Sequence, residues 1–384
     1  MFYYFGFYKS KYIENNYPSG NINAISYKMG YIINKIKKAG IPLTVISSYL
    51  SDKQGFYPYK KVVVDKFQTD CYLPSLRIMG FFKKITGIFK KLAIFLFCFF
   101  KLKKNDVVLI YHDPQIDKIF VFLKRLKGFK LIVEIEEICH RNSKLKNAKR
   151  VKANEEKAFK AADAYIVVND LIYSKYLNNN KPHIVIYGAY DVSVKTDFEE
   201  KYALSDKEKI NILFSGSIDK VRGASLAVKT AEFLPDNYVM NISGFGNPVE
   251  LADIQQLIEQ HNQNGKGCRI IMHGQLSAQK LDELAFACDI GLNLQDINNP
   301  FEEVSFPSKI SFYLLHGLNV VSTKMSSVMV SKLSKHLYYC DMQPQAVAKA
   351  IVDIKTVDKA NNNTIIRKLD NDVVKEVYSL LYEK

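Results

Sequence analysis

Residues 306–322 read Phe306-Pro307-Ser308-Lys309-Ile310-Ser311-Phe312-Tyr313-Leu314-Leu315-His316-Gly317-Leu318-Asn319-Val320-Val321-Ser322. A proline at the entry, apolar residues at helical spacing and a glycine stop predict a short helix from Ser308 to His316. The unbroken apolar run after the glycine predicts a strand from Asn319 to Ser322, buried on both faces as in a parallel sheet covered by helices. Upstream the same rhythm recurs. Strands are predicted from Ile210 to Phe214, Tyr238 to Ser243, Cys268 to Met272 and Asp289 to Leu294, and helices from Ala224 to Phe233, Pro248 to Asn262 and Ser277 to Ala287.

A second series precedes the polar stretch from Ser193 to Lys209. Its strands are expected from Phe2 to Phe7, Leu43 to Ser47, Val107 to Tyr111, Lys130 to Glu134, Ala164 to Val168 and His183 to Ile186, with a helix from Ile22 to Lys38. Two βα series of similar length predict an α/β chain of two doubly wound, Rossmann-like domains, 1–190 and 191–363. The tail, 364–384, reads as one amphipathic helix with Ile365, Leu369, Val373 and Val377 inward.

Composition narrows the class. The chain has 384 residues, 48% of them hydrophobic and 24% charged, which fits globular structure and excludes a disordered or collagen-like chain. Six cysteines without a C-x-x-C pair or histidines at ligand spacing give neither a disulfide framework nor a zinc site. The start, Met1-Phe2-Tyr3-Tyr4-Phe5, lacks the features of a signal peptide, so a cytoplasmic protein is expected. Charge is uneven: the first 190 residues hold 33 of the 54 basic side chains but only 14 of the 39 acidic ones. An anionic partner is therefore expected on the first half.

The basic excess peaks in 78–104, where Lys83, Lys84, Lys90 and Lys91 precede Leu92-Ala93-Ile94-Phe95-Leu96-Phe97-Cys98-Phe99-Phe100, and Lys101, Lys103 and Lys104 follow it. Nine apolar residues are too few to cross a bilayer, which needs about 20. Lysines at both ends of an aromatic-rich block suit a helix lying in an anionic membrane interface; a core helix with solvated lysines is the alternative. Nucleic acid is not expected as a partner, since no motif for it is present.

Three strand-to-loop junctions carry residues that suit a ligand. In Phe214-Ser215-Gly216-Ser217-Ile218-Asp219-Lys220-Val221-Arg222-Gly223-Ala224, Gly216 lets backbone approach a ligand and Arg222 can clamp phosphate oxygens before a helix start. Ser243-Gly244-Phe245-Gly246-Asn247-Pro248 has two glycines of a dinucleotide fingerprint but no third. At Pro307-Ser308-Lys309 a helix start offers a hydroxyl, backbone N–H groups and an ammonium to an anion, with Glu302 and Glu303 in the loop before it.

Taken in order, Gly216-Ser217, Arg222-Gly223, Gly244-Phe245-Gly246, His273-Gly274-Gln275-Leu276, Ala287-Cys288-Asp289-Ile290-Gly291-Leu292 and Phe306-Pro307-Ser308-Lys309 with Tyr313-Leu314 and Gly317 resemble the carboxyl-terminal domain of GT-B glycosyltransferases. The likeness is close to family-4-like enzymes of bacterial surface polysaccharide (capsule or O-antigen) synthesis, and it covers about residues 210 to 325. It implies two domains facing a cleft. The second would hold a nucleotide-diphosphate sugar, the first an acceptor, and the terminal helix would return to the first. It implies that Arg222, Ser308 and Lys309 contact the diphosphate and that Gly274, Gln275 and Leu276 lie against the base. The sequence departs from the family twice. Ser217 stands where a basic residue is usual, and Val304 and Phe312 occupy the positions of the paired glutamates, leaving Glu303 to stand in for the first.

Acid–base candidates lie past two strands of the first half: His112 and Asp113 after one, Glu134, Glu136 and Glu137 after the next. Crowded carboxylates beside an apolar sheet raise a pKa, which suits a general base, so Glu137 or Glu136 is preferred to His112 and Asp113. Pairing of these acids with Lys144, Lys146 or Arg150 is the alternative. Asn16, Gly20 and Asn21, after the first strand, are acceptor-binding candidates. No metal is expected, because the D-x-D at Asp370-Asn371-Asp372 falls in the terminal helix, and no cofactor beyond the nucleotide-sugar substrate. The expected protein is thus a metal-independent transferase at the inner face of the cell membrane, acting on a lipid-linked saccharide. A nucleotide-sugar 2-epimerase and a non-catalytic GT-B-like binding protein are the rivals.

Overall fold

The computed structural model describes residues 1–16, 24–47, 53–80, 83–141, 147–177, 180–190, 192, 209–354 and 359–382. Two compact units are present, Met1–Ala189 together with Asp372–Lys384, and Tyr190–Asn371.

The first unit is built on strands β1 (Phe2–Gly6), β2 (Leu43–Ser47), β4 (Lys60–Val63), β5 (Gln68–Tyr72), β7 (Val107–Tyr111), β8 (Lys130–Ile135), β9 (Ala164–Val167) and β10 (His183–Val185). They form one eight-stranded sheet in the order β10-β9-β8-β7-β1-β2-β5-β4. Every pair is parallel except β4, which runs antiparallel to β5 at the edge. β3 (Gly55–Tyr57) and β6 (Ser75–Arg77) make a separate two-stranded ribbon. The helices are α1 (Lys11–Asn16), α2 (Ala24–Lys38), α3 (Lys83–Lys101), α4 (Asp117–Lys127) and α5 (Ala148–Ala161). The strands between Gly55 and Arg77 were not anticipated, because they are short and polar. Gln68-Thr69-Asp70-Cys71-Tyr72 has no apolar run to mark a strand, yet Asp70 is buried and accepts a hydrogen bond from Gln68 Nε2 at 2.8 Å. The lysines of β4 suit an edge, where charge discourages further strand pairing.

The second unit carries β11 (Ile210–Ser217), β12 (Tyr238–Phe245), β13 (Arg269–Gly274), β14 (Ile290–Asn293), β15 (Asn319–Thr323) and β16 (Leu337–Cys340). The sheet is wholly parallel, in the order β13-β12-β11-β14-β15-β16. Its helices are α6 (Ala224–Thr230), α7 (Pro248–Asn264), α8 (Ala278–Ala287), α9 (Ser308–Leu315), α10 (Ser326–Met329) and α11 (Pro344–Val352). Ile212, Phe214, Met240, Ile242 and Leu292 fill the core beneath them. The strand order reverses between β11 and β14, and ligands of open α/β sheets bind outside the strand ends at such a switch.

The last helix, α12 (Lys359–Tyr382), is shared. Its Asn362 side chain bonds the Gly317 and Leu318 carbonyls of the second unit. Its far end is counted with the first unit, where Lys130 Nζ donates to the Leu380 carbonyl at 2.9 Å.

Candidate functional site

Strand β11 does not stop at Phe214 but runs to Ser217, because glycines allow its neighbour to come close. A Cβ on Gly244 would lie 2.0 Å from the Gly216 carbonyl oxygen, so only glycine fits there. A Cβ on Gly246 would likewise lie 2.4 Å from the Ile218 carbonyl oxygen. Strand packing therefore accounts for both glycines without a ligand. Gly216 itself has φ +121°, which bends the strand end as a side-chain-bearing residue would not.

Over that bend lies Lys309. A Cβ on Gly216 would stand 3.7 Å from its Nζ, and the ammonium sits 4.2 Å from the centre of the buried Phe214 ring. Among the described residues, Nζ is the one buried side-chain nitrogen without a hydrogen-bond partner. Burial, and secondarily the positive charge of Arg222, push its pKa down to about 7, against a smaller opposing pull from Asp219. The loop that carries Arg222 is folded by Asp219, whose carboxylate accepts from the backbone N–H of Val221 at 2.9 Å and of Arg222 at 2.8 Å. The Arg222 side chain is half exposed, 3.9 Å from Asp219.

Thus Gly216, Lys309 and Arg222 come together at the switch point. Ser308, exposed, opens α9, whose N-cap Pro307 provides no side-chain cap for the first-turn N–H groups. Ser217 lies half-buried on the strand end. Two bends along from Gly216, Gly274 closes β13 with φ +64°, and its carbonyl accepts from Ser243 Oγ at 3.0 Å. Gln275 beyond it is exposed and Leu276 half-buried. Of the loop acids, Glu302 is buried and accepts from the Ser326 N–H at the start of α10, while Glu303 is half-buried.

One residue outside the site candidates holds this corner together. The Tyr313 hydroxyl accepts from Ser215 N–H at 2.8 Å and lies 3.4 Å from the Leu292 carbonyl, tying β11 to β14 at the switch. Its signals in the sequence were its place one helical turn after Lys309 and its part in the Tyr313-Leu314 pair of the family resemblance.

The first unit presents a different picture. His112, just past β7, is buried with Nδ1 2.6 Å from Asp117 and Nε2 2.9 Å from Glu155. Burial opposes its positive charge, but Asp117's charge and bonds to Asp117, Cys139 and Glu155 outweigh it and hold the pKa well above the usual value. Glu155 also accepts from His140 Nδ1 at 2.6 Å and from the Cys139 and His140 N–H groups. Both ring nitrogens of His112 are thus engaged, and proton exchange with a substrate would break one of these contacts. Glu155 escaped the sequence reading because 43 residues separate it from His112.

His112, Cys139 and Glu155 also set ligand-type atoms within 4.8 Å of one another, so they could hold a metal ion if His112 surrendered its Nε2 proton. Asp113 lies 3.8 Å from Lys90. Glu134 is buried against the Tyr4 hydroxyl, and burial, then the charge of Glu136, raises its pKa. Glu136 pairs at 3.2 Å with Lys28, whose ammonium also donates to the Ile186 and Gly188 carbonyls. Glu137 is exposed. Asn16 is exposed on α1 and bonds the Tyr12 carbonyl, while Gly20 and Asn21 lie outside the described residues, as do Lys144 and Lys146.

No protein-family model matches the sequence, and no curated protein does. Solved structures match over nearly the whole chain. Sucrose-phosphate synthase from Thermosynechococcus elongatus is 12% identical with a TM-score of 0.65, over 99% of this chain and 94% of that one. Anabaena HepE in complex with UDP and glucose is 11% identical with a TM-score of 0.66, over 100% and 99%. The fold is GT-B. A UDP-forming trehalose-phosphate synthase from Burkholderia xenovorans, in complex with glucose-6-phosphate, matches at 9% identity and a TM-score of 0.61 over 99% and 98%.

Proposed function

We propose that this chain is a glycosyltransferase that moves a sugar from a nucleoside-diphosphate donor to a hydroxyl of a saccharide acceptor. The observation that carries the reading is the buried, unpartnered ammonium of Lys309 beside Gly216, with Arg222 close by. A buried cation without a counter-charge is costly, and a bound diphosphate would supply that charge. The UDP and glucose held by HepE, and the UDP-forming reaction named for the Burkholderia synthase, support a sugar nucleotide as the ligand.

As the bond from sugar to diphosphate breaks, negative charge grows on the leaving group. Lys309, Arg222 and the start of α9 would offset it, which is why a metal-independent transfer is preferred. If the transfer inverts, a group of the first unit would take the acceptor's hydroxyl proton. Glu137 is the exposed one of the five candidates there. The acceptor we favour is a lipid-linked saccharide of surface polysaccharide synthesis, supported by the family resemblance and the basic first half.

The test is thermal unfolding with UDP, GDP, ADP and dTDP. One of them should raise the melting temperature, since a ligand bound only to the folded chain stabilises it. Arg222→Ala should weaken that nucleotide about tenfold, as loss of a charge-assisted contact does. If none of the four stabilises the chain, the reading fails. Conversion of the sugar nucleotide without an acceptor would replace the transferase with an epimerase.

A further inference from the structure

Helix α3 has two distinct faces. Ile94, Cys98 and the following Leu102 are buried in the first unit. Opposite them Ile85, Ile88, Leu92, Leu96 and Phe100 are exposed, three or four residues apart, so they line up as one apolar stripe. Ile88 is 67% exposed and Phe100 75%. The stripe continues onto α4, which the sequence did not mark. The Phe95 ring is 6.2 Å from Phe122, and Phe122 and Leu126 are 55% and 58% exposed. An apolar surface spread over two helices is larger than isolated exposed side chains need explain.

Its surroundings are cationic. Lys84, Lys101, Lys103 and Lys104 are exposed about α3, as are Lys118 and Arg125 on α4. No Asp or Glu occurs between Asp70 and Asp106. A second copy of the chain docked here about a twofold axis would set these cations against one another. An anionic bilayer instead offers negative headgroups to the cations and hydrocarbon to the stripe. No helix among the described residues is long and apolar enough to cross a membrane, so α3 would lie flat.

We propose that α3 and α4 together form a docking surface for an anionic lipid bilayer, with the stripe and Phe122/Leu126 entering the acyl boundary and the basic side chains meeting the headgroups. The surface is independent of the diphosphate corner.

Co-sedimentation of the full chain with phosphatidylcholine vesicles, with and without phosphatidylglycerol, tests it. Binding should require the anionic lipid and weaken with salt. Phe122→Ser combined with Leu126→Ser should lower partitioning about tenfold through lost apolar insertion. Lys101→Gln and Lys103→Gln should each cost about fivefold, the value of one basic side chain near an anionic surface. Because all four side chains are exposed or flank exposed helix ends, melting temperature and nucleotide stabilisation should stay as in the parent. Equal binding to neutral and anionic vesicles, or parental binding by the α4 double variant, would overturn the proposal. So would a parental dimer, seen by light scattering, that this variant dissociates.

Discussion

Each unit buries ionic side chains near its strand ends; in the first the His112 and Lys28 cations have acceptors, although one oxygen of Glu134 has no donor, and in the second a cation has no acceptor. In the first, His112 stands between Asp117 and Glu155, Glu155 is bonded to His140, and Lys28 has Glu136 and two carbonyls. In the second, the Lys309 ammonium is buried over an aromatic ring with a like charge nearby and no acceptor. In a closed cluster pair interactions and hydrogen bonds offset the desolvation cost in part or in full, and removing one partner destabilises the fold because it leaves a buried charge unanswered. An open one leaves that cost in the unliganded protein, to be offset when something of opposite charge binds. The informative feature is how completely a charge is answered: Lys28 is buried with a carboxylate and two carbonyls around it, and the Lys309 ammonium is buried with no acceptor.

The sharpest way to break this contrast is Glu155→Ala. It would leave His112 and His140 without their shared carboxylate in a buried site, which costs about 3–5 kcal/mol. Urea unfolding should show that loss, while the shift in melting temperature produced by nucleotide should persist. A variant as stable as the parent but inactive in transfer would make the cluster part of the chemistry and end the contrast.

Lys309→Met tests the open corner. If Lys309 makes the proposed charge-assisted contact to a diphosphate, its removal should weaken nucleotide about 100-fold. Stability should hold or rise, because a buried ammonium without a partner is gone. The pH dependence has a definite sign. In the unliganded protein the Lys309 pKa is about 7; a bound diphosphate favours the charged form and raises it. Binding therefore takes up a proton above pH 7. Affinity should be highest below that pH and fall as pH climbs toward the raised value, by at most about tenfold per unit. The terminal phosphate, with a pKa of about 6, is already ionised there. Calorimetry in two buffers of different protonation enthalpy would detect the uptake in the parent and its absence in Lys309→Met.

Much of this frame was legible in the chain. The second sheet's first five strands follow from apolar runs bounded by glycines, since a parallel strand buried on both faces has no polar alternation to confuse it. β16 and the 55–77 strands were missed because Leu337-Tyr338-Tyr339-Cys340 and the Lys60–Val63 edge are short and partly exposed. At the site, Gly216, Arg222 and Lys309 could be picked out singly because glycine at a strand end and cations near helix starts have local physical meaning. That Lys309 has no partner could not be, because it depends on what approaches from 93 residues earlier in the chain at Gly216. The closed state of His112 was hidden for the same reason: Asp117 is local, but Glu155 arrives from another helix. The α4 part of the apolar surface was hidden too, because Phe122 and Leu126 look like core positions of an amphipathic helix until their exposure is seen.

The smallest expected effect concerns a closed contact lying directly under the open corner. Tyr313 is fully buried, its ring so close to β14 that a Cβ on Gly291 would stand 2.3 Å from it. Tyr313→Phe keeps that packing and removes only the hydroxyl that accepts from Ser215 N–H. A buried N–H left without an acceptor costs about 1 kcal/mol or somewhat more, so a small drop in denaturant midpoint should follow. Because the hydroxyl is buried and its contacts are with β11 and β14, nucleotide affinity should change by no more than about threefold, under 1 kcal/mol. A loss of binding as large as that of Lys309→Met, with stability untouched, would instead place the hydroxyl in the ligand site and move the boundary between frame and site one helical turn along α9.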